Sequence, residues 1–209
     1  MGKVKLLFKM IRSILIFMAR ELRRGTLRAN LKGLSKMEIK EEMSWAELLE
    51  EQVKKYKDRT FLTFEGKTYS YRDMDENANR VANYFLAVGG KPGTGVALLM
   101  ENCPAFLDVF IGLQKIGMYS VPVNTSLKGS SLLYILNHCE AKFLVIDDSF
   151  IETLEKIKDK LEHIKTIIVN PQSKDSKPVR GMLWIGDAYR ESPSKPAYTY
   201  KKEDICFIT

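Results

Sequence analysis

The chain has 209 residues, 45% of them hydrophobic and 28% charged, which allows one large globular domain or two small ones with a real core. The net charge of +7 is confined to one end. Residues 1–36 hold ten of the 33 Lys/Arg and one of the 26 Asp/Glu, leaving 23 basic against 25 acidic groups, a net −2, in the remainder. A body of balanced charge excludes a general nucleic-acid surface, and three cysteines with no CxxC pair argue for buried thiols in a reducing compartment.

Residues 1–36 read as an arm. At about 100° per residue, Val4, Leu7, Phe8, Ile11, Ile14, Leu15, Met18 and Leu22 share one face. Lys5, Lys9, Arg12, Arg20 and Arg23 share the opposite one, with Ile16 out of place. The longest uncharged run, residues 13–19, is too short for a transmembrane span, which needs about 20 apolar residues. Lys9 and Arg12 inside the apolar region argue against a cleaved signal peptide. The pattern predicts a cationic amphipathic helix lying on an anionic membrane surface. A helix docked on the protein's own body, or paired with a partner helix, would carry the same stripe.

From residue 37 the patterns change. Residues 44–56 predict a helix capped by Ser44 with Glu47 three positions on. Residues 60–64 and 67–71 predict a hairpin about Glu65-Gly66, and Ser70 caps a helix reaching about Val88 with Met74, Ala78, Val81, Ala82 and Phe85 inward. GGKPGTG at 89–95 follows a helix and precedes a strand, so it reads as a turn and not a phosphate loop. Then come a strand at 95–100, a helix from Pro104 to Ile116, a Gly117 exit, a strand at 119–123, and a helix capped by Ser130 or Ser131. Strands at 143–146 and 166–169 flank a helix at 150–163; residues 171–180 read as an exposed loop, and 205–208 as an incipient strand. Strands alternating with helices predict an α/β fold: an incomplete doubly wound, mostly parallel sheet with flanking helices, preceded by the amphipathic helix. The expected division is an arm at 1–36 and a body at 37–209.

The residues alone supply no complete catalytic constellation. His138 and His163 have no partner at a useful spacing, so a histidine triad is unsupported. Asp147-Asp148 after a strand suits a helix cap better than a cation site. Asn124-Thr125-Ser126 matches a glycosylation sequon that would be idle in the cytosol.

Three segments in order resemble the N-terminal part of the adenylate-forming acyl-CoA synthetases. FEGKTYSY at 64–71 is similar to the core motif xxYTYxEL, with Asp73-Met74 in place of its acidic-leucine pair. VALLMEN at 96–102, followed by Pro104 and Phe106, is similar to the strand–helix junction VAlfleNcpEF. Residues 113–117 and 121–124, which include Lys115, Gly117, Pro122 and Asn124, resemble LxKxGaxxvPvN. The continuation through Leu127, Lys128, Gly129 and Leu132-Leu133 is most like NtnLRgesLlh of the fatty-acid-transport-protein and very-long-chain acyl-CoA synthetase branch, with Lys128 where arginine is usual. The resemblance covers roughly residues 44–209.

That resemblance implies a parent enzyme using ATP, Mg2+ and CoA to convert a long- or very-long-chain fatty acid to acyl-AMP and then acyl-CoA, at the cytoplasmic face of a membrane and in connection with fatty acid uptake. The family's phosphate loop, YTSGTTGxPK, would begin at Thr209. No residue here is therefore expected to be catalytic, cofactor-binding or metal-ligating, and the chain alone is expected to be an inactive fragment. The alternatives are a non-catalytic membrane tether that pairs with a full-length synthetase, and the front of another adenylating ligase such as a coumarate or bile-acid ligase.

Overall fold

The computed structural model describes residues 43–208 apart from 174, 177, 178, 199, 200 and 202. The amphipathic arm expected at 1–36, with Lys5, Leu7, Phe8, Lys9, Ile11, Arg12, Ile14, Leu15, Met18, Arg20, Leu22 and Arg23, lies outside the described residues, as does Thr209.

Helix α1, Trp45–Tyr56, starts where its capping box requires. Ser44 Oγ accepts the Glu47 N–H at 3.1 Å, and Glu47 Oε2 accepts the Ser44 N–H at 3.0 Å. The hairpin strands β1, Thr60–Phe64, and β2, Lys67–Ser70, pair antiparallel. Ser70 and Asp73 form a second capping box that opens α2, Tyr71–Ala87, and the five predicted inward residues of α2 are all buried.

The remaining strands form one parallel sheet: β3, Gly95–Leu99; β4, Tyr119–Pro122; β5, Phe143–Asp147; β6, Thr166–Asn170; and β7, Leu183–Trp184. Their spatial order is β4-β3-β5-β6-β7. The crossovers run through α3, Pro104–Gln114; α4, Gly129–His138; and α5, Ile151–Glu155. Both faces of the sheet are covered, which is why β3 and β5 read as unbroken apolar runs and do not alternate. Val96, Leu98, Phe143 and Val145 pack on one face with Val81 and Phe85 of α2 and Val109 and Leu113 of α3. Ala97, Leu99, Leu144 and Ile146 pack on the other with Leu132 and Leu136 of α4 and Leu154 of α5. Helices on opposite faces make the sheet doubly wound, as the strand–helix alternation predicted. Leu98, fully buried in a central strand, is a position where truncation to alanine costs about 2–5 kcal/mol.

Three local expectations are corrected. Helix α4 is capped by neither Ser130 nor Ser131; Lys128 is its N-cap residue, extended and without a side-chain cap bond. Gly129 at φ +54 turns the chain inward one residue early, so both serines already lie within the first turn. The single helix expected at 150–163 is a 3-10 turn at Asp148–Phe150, the short α5, and another 3-10 turn at Lys158–Lys160. Beyond the break, Asn137 of α4 holds the chain: its Nδ2 donates to the Lys160 carbonyl at 3.0 Å and its Oδ1 accepts the Glu162 N–H at 3.1 Å. Strand β7 and the 3-10 helix Ile185–Arg190 were not foreseen. The incipient strand at 205–208 is realised as a bridge, with Ser120 of β4 accepting the Ile208 N–H at 2.9 Å and donating to the Cys206 carbonyl at 3.2 Å. Among the described residues, no helix is long and apolar enough to cross a membrane.

Candidate functional site

The connection leaving β3 runs to α3 on one face of the sheet, whereas the connection leaving β5 runs to α5 on the other. The two loops diverge at the carboxyl ends of neighbouring strands, the place where open α/β sheets hold ligands. A cleft of about 640 Å³ opens there, lined by Glu101, Asn102 and Cys103 after β3, Asp108 of α3, Asn170 and Gln172 after β6, and Ile185 and Tyr189 beyond β7. The hairpin turn, with Phe64, Glu65, Lys67 and Tyr69, forms its far wall, and Asn77 of α2 reaches it as well.

Asp147 holds the floor of this region together. Fully buried at the end of β5, its Oδ2 accepts the Glu101 N–H at 2.7 Å and its Oδ1 accepts from Asn170 Nδ2 at 2.7 Å. One carboxylate thus ties the ends of β3, β5 and β6. Burial raises its pKa above the ordinary carboxylate value, and the bonds from Asn170 and Glu101 pull the other way. The adjacent Asp148 accepts the Gln172 N–H at 3.2 Å and the Ser176 hydroxyl. Asp147 does occupy the N-cap position of the 3-10 turn at Asp148–Phe150, as the cap reading expected, but it makes no side-chain cap bond; both acids anchor loops instead.

Asp108 is the unusual group. It projects from α3 one turn after Pro104 and is 2% exposed. Its Oδ2 accepts the Tyr189 hydroxyl at 2.9 Å, while its Oδ1 has no hydrogen-bond partner. Burial pushes its pKa up to about 7 against the opposing Tyr189 bond. Burial and Asp108 together push the Tyr189 phenol far above its usual value, so it stays a donor. Burial also raises the Cys103 thiol, which makes it a poor nucleophile.

Tyr189 reaches Asp108 because the segment after β7 is strapped to α2. Asn79 Nδ2 donates to the Pro193 carbonyl at 2.9 Å, Arg80 to that of Glu191 at 3.0 Å, and Asn83 to those of Ser192 and Ser194 at 2.8 and 3.0 Å. These side chains form a polar stripe on α2 whose partners lie over 100 residues away in sequence.

The motif residues singled out in the sequence fall elsewhere. Lys115, at the C-cap of α3, is buried; its Nζ meets Glu50 Oε1 of α1 at 2.9 Å and Asp75 Oδ1 of α2 at 2.7 Å. Lys195 meets the other Glu50 oxygen at 2.6 Å. Gly117 adopts φ +66 and accepts the Gly93 N–H at 2.7 Å; a Cβ there would run into the Tyr198 ring. Both residues are therefore scaffold. Pro122 ends β4 and is exposed, Asn124 Oδ1 accepts the Ser126 N–H at 2.9 Å in a local turn, Leu127 leans on the α4 cluster, and Lys128 is exposed. Together they form a surface loop at the β4 end of the sheet, and none of them lines the cleft. Asp108 was missed because an acid inside an otherwise apolar helix was the only signal, and nothing in the sequence pairs it with Tyr189. His138 stacks on Tyr134, and His163 lies 3.9 Å from Glu162, both away from the cleft.

The charged groups lining the cleft are Glu65, Glu101, Asp108 and a single cation, Lys67. Such a lining does not fit a nucleotide's phosphates, which need converging N–H donors and cations. No trio of His, Cys, Asp or Glu among the described residues could hold a metal ion.

Residues 49–209 match the family model described as AMP-binding enzyme. The chain is 34% identical over 139 residues to long-chain fatty acid transport protein 6 of Homo sapiens, covering 66% of this chain and 22% of that protein. It is 41% identical over 100 residues to a crotonobetaine/carnitine–CoA ligase of Proteus mirabilis, covering 46% of this chain and 19% of the relative. The chain thus spans about a fifth of the length of these curated relatives. Among solved structures, an anthranilate CoA ligase, AuaEII, in complex with anthranoyl-AMP superposes with a TM-score of 0.71 at 28% identity, over 78% of this chain and 31% of that one. The N-terminal domain of FACL13 from Mycobacterium tuberculosis superposes at 0.65 and 21% identity over 78% of this chain and 39% of that one, a likeness of fold alone.

Proposed function

Because the chain belongs to the AMP-binding enzyme family, we propose that it is the N-terminal part of a long- or very-long-chain fatty acid–CoA ligase working at a membrane surface. The parent reaction joins a fatty carboxylate to the α-phosphorus of ATP, releasing pyrophosphate; the CoA thiol then attacks the acyl carbon and AMP leaves. Mg2+ would serve the phosphates. Catalysis of this kind rests on positioning and on charge stabilisation at the phosphates. The described residues supply the frame for it: the doubly wound sheet, the Asp147 clasp on three strand ends, and the Lys115 ion pairs between helices. With no phosphate cradle among the described residues, the 209-residue chain by itself is inactive in this reading.

One observation carries the choice of substrate class: the match to a long-chain fatty acid transport protein extends over 139 residues. The cationic amphipathic pattern at 1–36 supports a membrane surface and, with that relative, a coupling to fatty acid uptake. A second reading, a ligase for a short polar acid, is favoured by the higher identity to the crotonobetaine/carnitine–CoA ligase. The deciding experiment reads the frame beyond codon 209, expresses what it encodes, and measures ATP-dependent acyl-CoA formation with palmitate and with crotonobetaine. Turnover of palmitate supports the fatty acid reading; turnover of crotonobetaine alone replaces it with the second. A frame that stops at 209, giving a folded product that binds vesicles and forms no acyl-CoA, replaces both with a membrane tether.

A further inference from the structure

A second opening, an apolar groove of about 590 Å³, lies between α1, the hairpin and α3. Trp45 and Leu48 of α1, Phe61 of β1, Phe106 and Phe110 of α3, and Phe207 form its walls, and no charged side chain among the described residues lines it. It shares no residue with the cleft at the strand ends. The rings of Phe106 and Phe110, four positions apart on α3, stack at 6.3 Å between centroids, and Phe110 meets Phe207 at 5.8 Å. Trp45 is nevertheless 54% exposed and Phe207 45%. Large apolar side chains gathered open on one surface mark a place where something apolar binds.

Charge gathers at one end of the groove. Phe61 meets Tyr71 edge-on at 5.0 Å, and Tyr71 meets Tyr56 at 5.2 Å. The Tyr56 ring in turn seats Lys55 Nζ at 4.9 Å and Arg59 Cζ at 5.6 Å from its centre. Residues 54–59 hold Lys54, Lys55, Lys57 and Arg59 against Asp58 alone, and Asp58 is engaged by Arg72 at 3.1 Å. An uncharged trough with a cationic lip complements a molecule that has an apolar chain and an anionic head. The concave walls and a volume within the roughly 300–1,000 Å³ of small-molecule sites favour a single alkyl chain over a flat bilayer surface.

We propose that this groove binds a long-chain fatty carboxylate, with its alkyl chain between α1 and α3 and its carboxylate toward Lys55 and Arg59. The site lies apart from the cleft, and the proposal does not depend on the acyl-CoA ligase reading.

Trp45 reports on the groove by its fluorescence. In the full 209-residue chain, 11-bromoundecanoate, whose bromine quenches indole emission on contact, is expected to quench saturably, and Trp45→Phe should remove that component. Laurate should displace the probe. Dodecyltrimethylammonium chloride, of equal chain length and opposite charge, should displace it several-fold more weakly, and butyrate should not displace it. Replacing both lip cations, Lys55→Glu with Arg59→Glu, should erase the preference for the anion. Residues 1–36 carry an apolar stripe and cations of their own, so a variant that leaves them intact is needed. Leu48→Asp, which sets a charge in the groove from a partly exposed position, should weaken the probe by about tenfold or more. If Leu48→Asp does not fold, Phe61→Ser takes its place. Quenching that persists in Trp45→Phe or in the groove variant, or that the cationic amphiphile relieves as well as laurate does, overturns the proposal. A preference for the anion that survives loss of both lip cations overturns it as well.

Discussion

The ammonium of Lys115 lies 2.7 Å from Oδ1 of Asp75, with its side chain 1% exposed, so a cation is held at the C-terminal end of one helix by an acid of another. Glu50 of a third helix completes the site at 2.9 Å. Position favours the arrangement, because a cation at a helix C-terminus also meets the negative end of the helix dipole.

Removing the lysine takes away the cation that Asp75 and Glu50 share, and leaves Glu50 with Lys195 alone. Lys115→Ala is expected to lower stability by about 3–5 kcal/mol, as for a broken buried pair, read as a shift in the urea midpoint. The double variant Lys115→Ala with Asp75→Asn should recover part of that loss. Glu50 adds an acid limb: burial raises its pKa, but Lys195 and Lys115 outweigh burial and hold it below 4.5. Its contribution is present above that value and is lost as pH falls through the folded pKa.

Asp108 has the opposite pH dependence. Its carboxyl titrates near 3.8 in the unfolded chain and at about 7 when folded, so between those values the folded state binds more protons. Stability should therefore rise as pH falls from about 7 toward 4, and the charged form is a cost above neutrality. Asp108→Asn should flatten that slope. The difference in unfolding free energy between wild type and variant is expected to change by about 4 kcal/mol across the window, measured by urea titrations at several pH values.

Asp147→Ala should loosen the ends of three strands at once. The buried Asn170 amide would lose a partner in a dry site, a penalty of about 1–3 kcal/mol, and the Glu101 N–H would lose its tie to β5. Hydrogen exchange at Glu101 should accelerate well beyond what global destabilisation predicts, while exchange in α1 tracks the global value.

Gly117→Ala meets two obstacles, a positive φ and the Tyr198 ring. A loss of about 1–3 kcal/mol is expected. Pairing it with Tyr198→Ala should relieve the steric share only, so thermal unfolding of the double variant would separate ring contact from backbone strain.

For the arm, deletion of residues 1–30 is expected to release the protein from anionic vesicles, and raising salt should weaken binding by the intact chain, since exposed charges are screened within about 10 Å at 0.1 M. Sedimentation with phosphatidylserine vesicles measures both. Unchanged binding after the deletion would sink the interfacial-helix expectation.

Much of the fold was legible because its signals are local. Ser44-Glu47 and Ser70-Asp73 fix helix starts within four residues, and the buried strands announce themselves as short apolar runs between turns. What escaped depends on partners distant in the chain. Asn137 pins a segment more than twenty residues downstream, and Asn79, Arg80 and Asn83 draw down another that has little periodicity of its own. The cleft was illegible for the same reason: Asp108 and Tyr189 are 81 positions apart, and neither carries a spacing that names the other. The family motif, by contrast, was easy to see and proved to mark scaffold at Lys115 and Gly117, where close packing constrains residue choice more tightly than a surface loop does.

The spatial order β4-β3-β5 also sets a timetable for a ribosome. β3 gains its first neighbour, β4, after a short helix, but its other edge stays bare until β5 is made, some 40 residues after β3 ends. At about 5–20 residues per second that interval lasts about 2–8 s. For that time the nascent chain offers an apolar parallel edge with no strand of its own to receive it, and a slow stretch of codons between β4 and β5 would lengthen the exposure in direct proportion.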